Sequence, residues 1–132
     1  MHRPIRIVVA DDQRVCRATI IRELERQKDF NVVGEASNGA EAVERARQLS
    51  PDIVLMDVNM PVLDGVQATR EITADCCGVR VVGLSTHPPG RMARNMLAAG
   101  AVAYVEKSAP PDTLAMVIRS VANPPSSSTK TA

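Results

Sequence analysis

The sequence predicts a doubly wound α/β fold, a parallel sheet with helices on both faces. Three observations point to it. Short runs rich in β-branched residues alternate with amphipathic helical stretches five times along the 132 residues. The third run, "DIVLM" (52–56), is nearly all apolar, as a strand covered on both faces must be. Turn formers such as Ser50-Pro51-Asp52 separate the runs.

Taken in order, "IRIVVA" (5–10) is the first strand. "QRVCRATIIRELERQ" (13–27) carries Val15, Ile20, Ile21 and Leu24 in helical register with charges opposite. "NVVGEA" (31–36) is the second strand. "GAEAVERARQL" (39–49) is an Ala-rich helix, with Ser37 or Asn38 available as its cap. After strand 52–56, "DGVQATREITAD" (64–75) is a third helix, with Asp64 as its cap, and "VRVVGLS" (79–85) a fourth strand. "PGRMARNMLAAG" (89–100) is a fourth helix ended by Gly100. "AVAYV" (101–105) is the fifth strand. "PPDTLAMVIRSVA" (110–122) is a fifth helix with Pro in its first turn, where a missing N–H costs little. Right-handed crossovers leave few layouts for five such units. The expected one is flavodoxin-like, strand order 2-1-3-4-5. Residues 1–122 form the domain, and the polar tail "NPPSSSTKTA" (123–132) reads as a flexible linker or free end.

Composition excludes several function classes. Net charge is +1 with Lys and Arg scattered, so there is no basic stripe for a phosphate backbone. Phe30 and Tyr104 are the only aromatics, too few for base stacking. Direct nucleic-acid binding by this chain is not expected. "MHRPIRIVVADD" has no apolar run long enough for a signal peptide or membrane span. Cys16, Cys76 and Cys77 are an odd number without metal-ligand spacing, which fits reduced thiols in a cytoplasm, Cys16 lying on a helix.

Sites in doubly wound sheets form beyond the carboxyl ends of the strands. Strand one ends in Asp11-Asp12, strand three in Asp57, strand four in Ser85-Thr86 and strand five in Glu106-Lys107. The predicted order makes these four tips neighbours, with Asp57 central. Carboxylates about 4 Å apart repel by roughly 4 kcal/mol per pair at an effective dielectric near 20. One lysine cannot neutralise three of them, whereas a divalent cation with oxygen ligands can, and Mg²⁺ suits such a set. A carboxylate at a strand tip can attack phosphorus, with Lys107 and the Ser85 hydroxyl stabilising the equatorial oxygens. Each residue alone has a plainer reading. Asp11 or Asp12 could cap the first helix, Ser85 could satisfy a turn, and Lys107 could be a solvated loop lysine.

These residues resemble the receiver domains of bacterial two-component response regulators, from about Ile5 to Ala122. The likeness rests on "VADD", "MDVNMPVLDG", "GLST" and "YVEK", in that order and on those elements. It implies that Asp57 accepts a phosphoryl group from a histidine kinase. It implies that Asp11, Asp12, Asp57 and the Asn59 carbonyl hold Mg²⁺. Lys107 would pair with the phosphoryl group, Ser85 would turn towards it, and Tyr104 would swing inward. The face of helix four, strand five and helix five would then change its partner.

The chain also departs from the family pattern. Thr86 replaces a smaller residue and is expected to crowd the inward path of Tyr104. Ser108 follows Lys107 where many members have proline, so no cis Lys-Pro bond can form. Asn59 and His87 flank the phosphoryl site, where the family tunes phosphate lifetime; His87 also fits a plain turn before Pro88-Pro89. Met60 and Pro61 read as loop shapers, and Met92 and Met96 as packing residues. The stretch from Met96 to Ala122 most resembles receivers that precede a LuxR/NarL-type helix-turn-helix domain. Either the chain is the receiver half of a transcription regulator, or it stands alone. Family members often form homodimers, which this sequence leaves open.

Rival functions fit the residues less well. An aspartate-nucleophile phosphatase needs a general acid two residues after the nucleophile, where Asn59 stands. A flavin or nucleotide module needs a phosphate cradle, and "ADDQRV" is acidic. A non-phosphorylated pseudo-receiver, acting by protein contact alone, is the remaining alternative.

Overall fold

Five parallel strands and five helices alternate along the chain in the computed structural model, which describes residues 3–60 and 62–122. The strands are β1 (Ile5–Ala10), β2 (Phe30–Ala36), β3 (Ile53–Asp57), β4 (Arg80–Ser85) and β5 (Ala103–Glu106). The helices are α1 (Arg14–Glu25), α2 (Gly39–Leu49), α3 (Gly65–Asp75), α4 (Arg91–Ala98) and α5 (Pro111–Ala122). The sheet order is β2-β1-β3-β4-β5 and every pairing is parallel, the flavodoxin-like layout expected. The 123–132 tail and Pro61 lie outside the described residues.

Alternation along the strands sends side chains to two cores. Val8, Val54, Met56 and Val81 meet Ala42, Val43, Ala68, Ile72 and Met96 under α2, α3 and α4. Ile7, Val9, Ile53, Leu55, Val82 and Leu84 meet Leu24, Ala115 and Ile118 under α1 and α5. Every residue of β3 is buried, which explains its nearly unbroken apolar run. Met96 is fully buried, in line with a packing role.

Local chemistry fixes the helix ends. Asn38 caps α2 by accepting the Glu41 N–H at 2.8 Å. Glu41 reaches back to the Ser37 N–H and hydroxyl, a capping box displaced by one residue. Asp64 caps α3 through the Gln67 N–H at 2.8 Å, the role the Asp-Gly pair suggested. Gly100 has φ 118° after α4, with Gly100 N–H on the Leu97 carbonyl and Ala101 N–H on Met96, a Schellman ending.

Three sequence expectations need correction. Helix four starts at Arg91, not at 89, because Gly90 is extended and Pro89 lies in a bend ahead of it. Strand five starts at Ala103, not at 101, because the Ala101 N–H still serves the end of α4. Val15 is no core residue: it is 79% exposed. It borders an apolar groove of about 470 Å³ between α1 and α5, also lined by Ile20, Leu24 and Leu114.

Candidate functional site

The parallel order places the ends of β1, β3, β4 and β5 side by side. Asp57 is the last residue of β3 and is 5% exposed. Its neighbour Val58 is tied to β4 by donating to the Leu84 carbonyl at 3.1 Å. Gly65 opens α3 directly against this tip. A Cβ there would lie 2.3 Å from the Asp57 carbonyl oxygen and 2.7 Å from Val58 Cα. Only glycine lets α3 start this close to the aspartate.

Asp11, Asp12 and Asp57 each bring a carboxylate oxygen within 4.8 Å of the others. Asp11 is wholly buried and Asp12 exposed. The plain capping role for either aspartate does not hold. Gln13 is the N-cap of α1 and its side chain makes no capping hydrogen bond. Asp11 Oδ1 instead accepts the Gln13 N–H at 2.9 Å, which braces the loop just ahead of α1.

Lys107 is no solvated loop lysine either. Its side chain is 11% exposed, with Nζ 2.7 Å from Asp11 Oδ2 and 3.4 Å from Asp57 Oδ2. Burial works to lower its pKa, but the bond to Asp11 and the attraction of Asp57 and Asp11 outweigh it and hold the ammonium charged. Asp57 is pushed up from 3.8 to about 6, by burial first and by the Asp11 carboxylate. The Asn59 N–H, which donates to Asp57 Oδ1 at 3.2 Å, and Lys107 pull the other way. One ammonium therefore serves two buried carboxylates and a third nearby, and the site carries excess negative charge. Hard oxygen donors converging at this spacing fit a divalent cation of the Mg²⁺ type.

Ser85 ends β4, 1% exposed, and its Oγ accepts the His87 N–H at 3.0 Å. Tyr104 on β5 is half-buried and its hydroxyl donates to the His87 carbonyl at 3.5 Å. Both side chains thus hold the same backbone residue from its two polar groups. The Tyr104 ring also packs beside Gly83, where a Cβ would lie 3.2 Å from the ring and 2.9 Å from the Met96 side chain.

Two neighbours escaped the sequence reading. Cys16 Sγ lies 3.7 Å from Lys107 Nζ, and burial, with Asp11, pushes its thiol up. Arg17 donates to the Asp11 carbonyl at 2.6 Å and to Glu35 Oε1 at 2.8 Å. The signal available in sequence was only their place one turn into α1, on the helix that follows the acidic pair.

Comparison with known proteins gives the family of the chain. Residues 7–119 match the family described as the response regulator receiver domain. Response regulator UvrY of Escherichia coli (strain K12) is 39% identical over 117 residues, covering 89% of this chain and 54% of that protein. Transcriptional regulatory protein LnrK of Bacillus subtilis (strain 168) is 37% identical over 117 residues, covering 89% and 53%. The chain thus spans about half the length of these relatives. Among solved structures, the signal receiver domain of the Mycobacterium tuberculosis protein NarL superposes with a TM-score of 0.89 at 29% identity, covering 93% of this chain and 99% of that one.

Proposed function

The chain belongs to the response regulator receiver domain family, and from that premise we propose that it is a phosphoacceptor switch acting through Asp57. The observation that carries this reading is the convergence of the Asp11, Asp12 and Asp57 oxygens within 4.8 Å around one buried lysine. In this reading the Asp57 carboxylate attacks the phosphorus of a histidine kinase's phosphohistidine. The P–N bond breaks, its electron pair returns to the imidazole, and an acyl phosphate forms on Asp57. Asp11, Asp12, Asp57 and the Asn59 carbonyl would hold Mg²⁺, which when bound supplies charge compensation for the phosphoryl oxygens. Lys107 turns from Asp57 to a phosphoryl oxygen, a short step since its stronger partner is Asp11.

Ser85 and Tyr104 then form the readout. When Ser85 Oγ turns to the phosphoryl group, the His87 N–H loses its acceptor. The His87 backbone is also the hydroxyl partner of Tyr104, so the two side chains are released together. The face of α4, β5 and α5 follows. The chain is a signalling switch rather than an enzyme with turnover on a separate substrate. Control of transcription by a longer, cytoplasmic protein with a DNA-binding domain is the proposed output. It is supported by longer relatives, of which the match covers only 54% and 53%, one of them named a transcriptional regulatory protein. Among the described residues no helix is long and apolar enough to cross a membrane.

Incubation with acetyl phosphate and Mg²⁺, followed by intact mass, tests the reading. One added phosphoryl group, absent in Asp57→Asn and in EDTA, is expected. No gain in a folded sample would leave a pseudo-receiver that works by protein contact.

A further inference from the structure

Asp12 is held by its backbone alone. Among the described residues it makes no side-chain hydrogen bond or ion pair, yet its carboxylate stays within 4.8 Å of Asp11 and Asp57. Its place is therefore set above all by the peptide joining Asp11 to Asp12. The carbonyl of that peptide is the one Arg17 grips at 2.6 Å.

Arg17 is well held itself. Its N–H makes the first helical bond of α1, to the Gln13 carbonyl at 2.9 Å, and a side chain there leans back towards the helix start. Its Nε meets Glu35 at 2.8 Å, and its side chain is only 15% exposed. Glu35 pairs with Val9 across the β1–β2 ladder, so the clamp spans α1, the acidic loop and the end of β2. The same loop is tied on its other side, where the Asp11 N–H donates to Ala36 at 3.0 Å. Stability of α1 does not ask for this arginine. Its guanidinium reaches to the positive end of the helix dipole, which disfavours cations.

We propose that Arg17 is a positioning residue for the cation site: it fixes the Asp11–Asp12 peptide so that the otherwise unheld Asp12 carboxylate faces Asp11 and Asp57. This inference rests on the proposed Mg²⁺-dependent switch. Two simpler roles predict different results. If Arg17 acted only by its charge, its removal would strengthen cation binding, since a nearby positive charge is lost. If it only pinned α1 to β2, its removal would lower thermal stability and leave cation affinity unchanged.

The test is a MgCl₂ titration of the 132-residue chain followed by backbone amide shifts of Asp11, Asp12, Gln13 and Asn59. The proteins are wild type, Arg17→Met, which keeps the packed stem but cannot donate, and Arg17→Lys, which restores a charged donor. Melting in EDTA checks each fold. Arg17→Met is expected to bind Mg²⁺ about tenfold more weakly, the usual scale for losing a group that orients a metal ligand. Arg17→Lys is expected to fall between it and wild type. Unchanged or tighter binding by Arg17→Met overturns the proposal. Should that variant not fold, Arg17→Lys decides: affinity equal to or above wild type overturns it, and weaker binding supports it. Absence of Mg²⁺ binding by wild type would instead sink the switch reading beneath it.

Discussion

Replacing Asp57 by asparagine is expected to stabilise the metal-free protein at alkaline pH, even though it removes an ion-pair partner of Lys107. Asp57 is 5% exposed, and its carboxyl is held up at about 6 by burial and by the Asp11 carboxylate, against 3.8 when free. A carboxyl whose folded pKa is raised favours the fold when protonated. That favour is complete below the unfolded value and is lost as pH rises through about 6. At pH 8 the ionised group therefore costs about 3 kcal/mol, at roughly 1.4 kcal/mol per pKa unit, and about half that at pH 5. Asparagine has the same shape and no charge. It can still accept the Asn59 N–H, and Lys107 keeps Asp11 at 2.7 Å. The longer contact to Lys107 at 3.4 Å is already counted in that cost, since Lys107 is one of the groups that pull the carboxyl down towards about 6. The gain is about 3 kcal/mol at pH 8, or a rise in Tm of roughly 12 °C for a domain of this size. Urea unfolding of both proteins in EDTA, at pH 8 and pH 5, measures it. An Asp57→Asn protein less stable than wild type at pH 8, or a gap that does not shrink at pH 5, would refute the electrostatic reasoning.

Other substitutions probe the same site. Lys107→Ala strands the fully buried Asp11 and is expected to cost about 3 kcal/mol in EDTA, with Mg²⁺ restoring more stability than it does in wild type. Thermal melts with and without MgCl₂ check this. Gly65→Ala places a methyl against the Asp57 carbonyl and Val58 Cα, two backbone atoms that must move. Urea unfolding should show a loss of about 1–3 kcal/mol, and phosphorylation by acetyl phosphate should slow because the strand tip shifts.

Much of this was legible in the sequence, for a physical reason. Parallel strands buried on both faces need β-branched apolar runs, and these stand out in "IRIVVA", "DIVLM" and "VRVVGLS". The topology then follows from handedness, and the positions of Asp11, Asp12, Asp57, Ser85 and Lys107 follow from the strand ends. Where local signals compete, the pattern misplaces an element by a residue or two. Gly100 marked the end of α4, but the Schellman bonds it supports carry the chain two residues further before β5 can start. Val15 fits a helical apolar stripe, yet α1 stands off from α5 and leaves it at the rim of a groove. Cys16 and Arg17 were not legible as site neighbours at all. Their contacts depend on how α1 lies over the ends of β2 and β5, which periodicity does not encode.

In the proposed switch Asp57 itself receives the phosphoryl group. The most direct test is borohydride reduction of the protein after acetyl phosphate and Mg²⁺ treatment, followed by peptide sequencing by mass spectrometry. Reduction converts an aspartyl phosphate into homoserine, so homoserine is expected at position 57 and nowhere else. Homoserine at Asp11, Asp12 or another acid, with Asp57 intact, would contradict it.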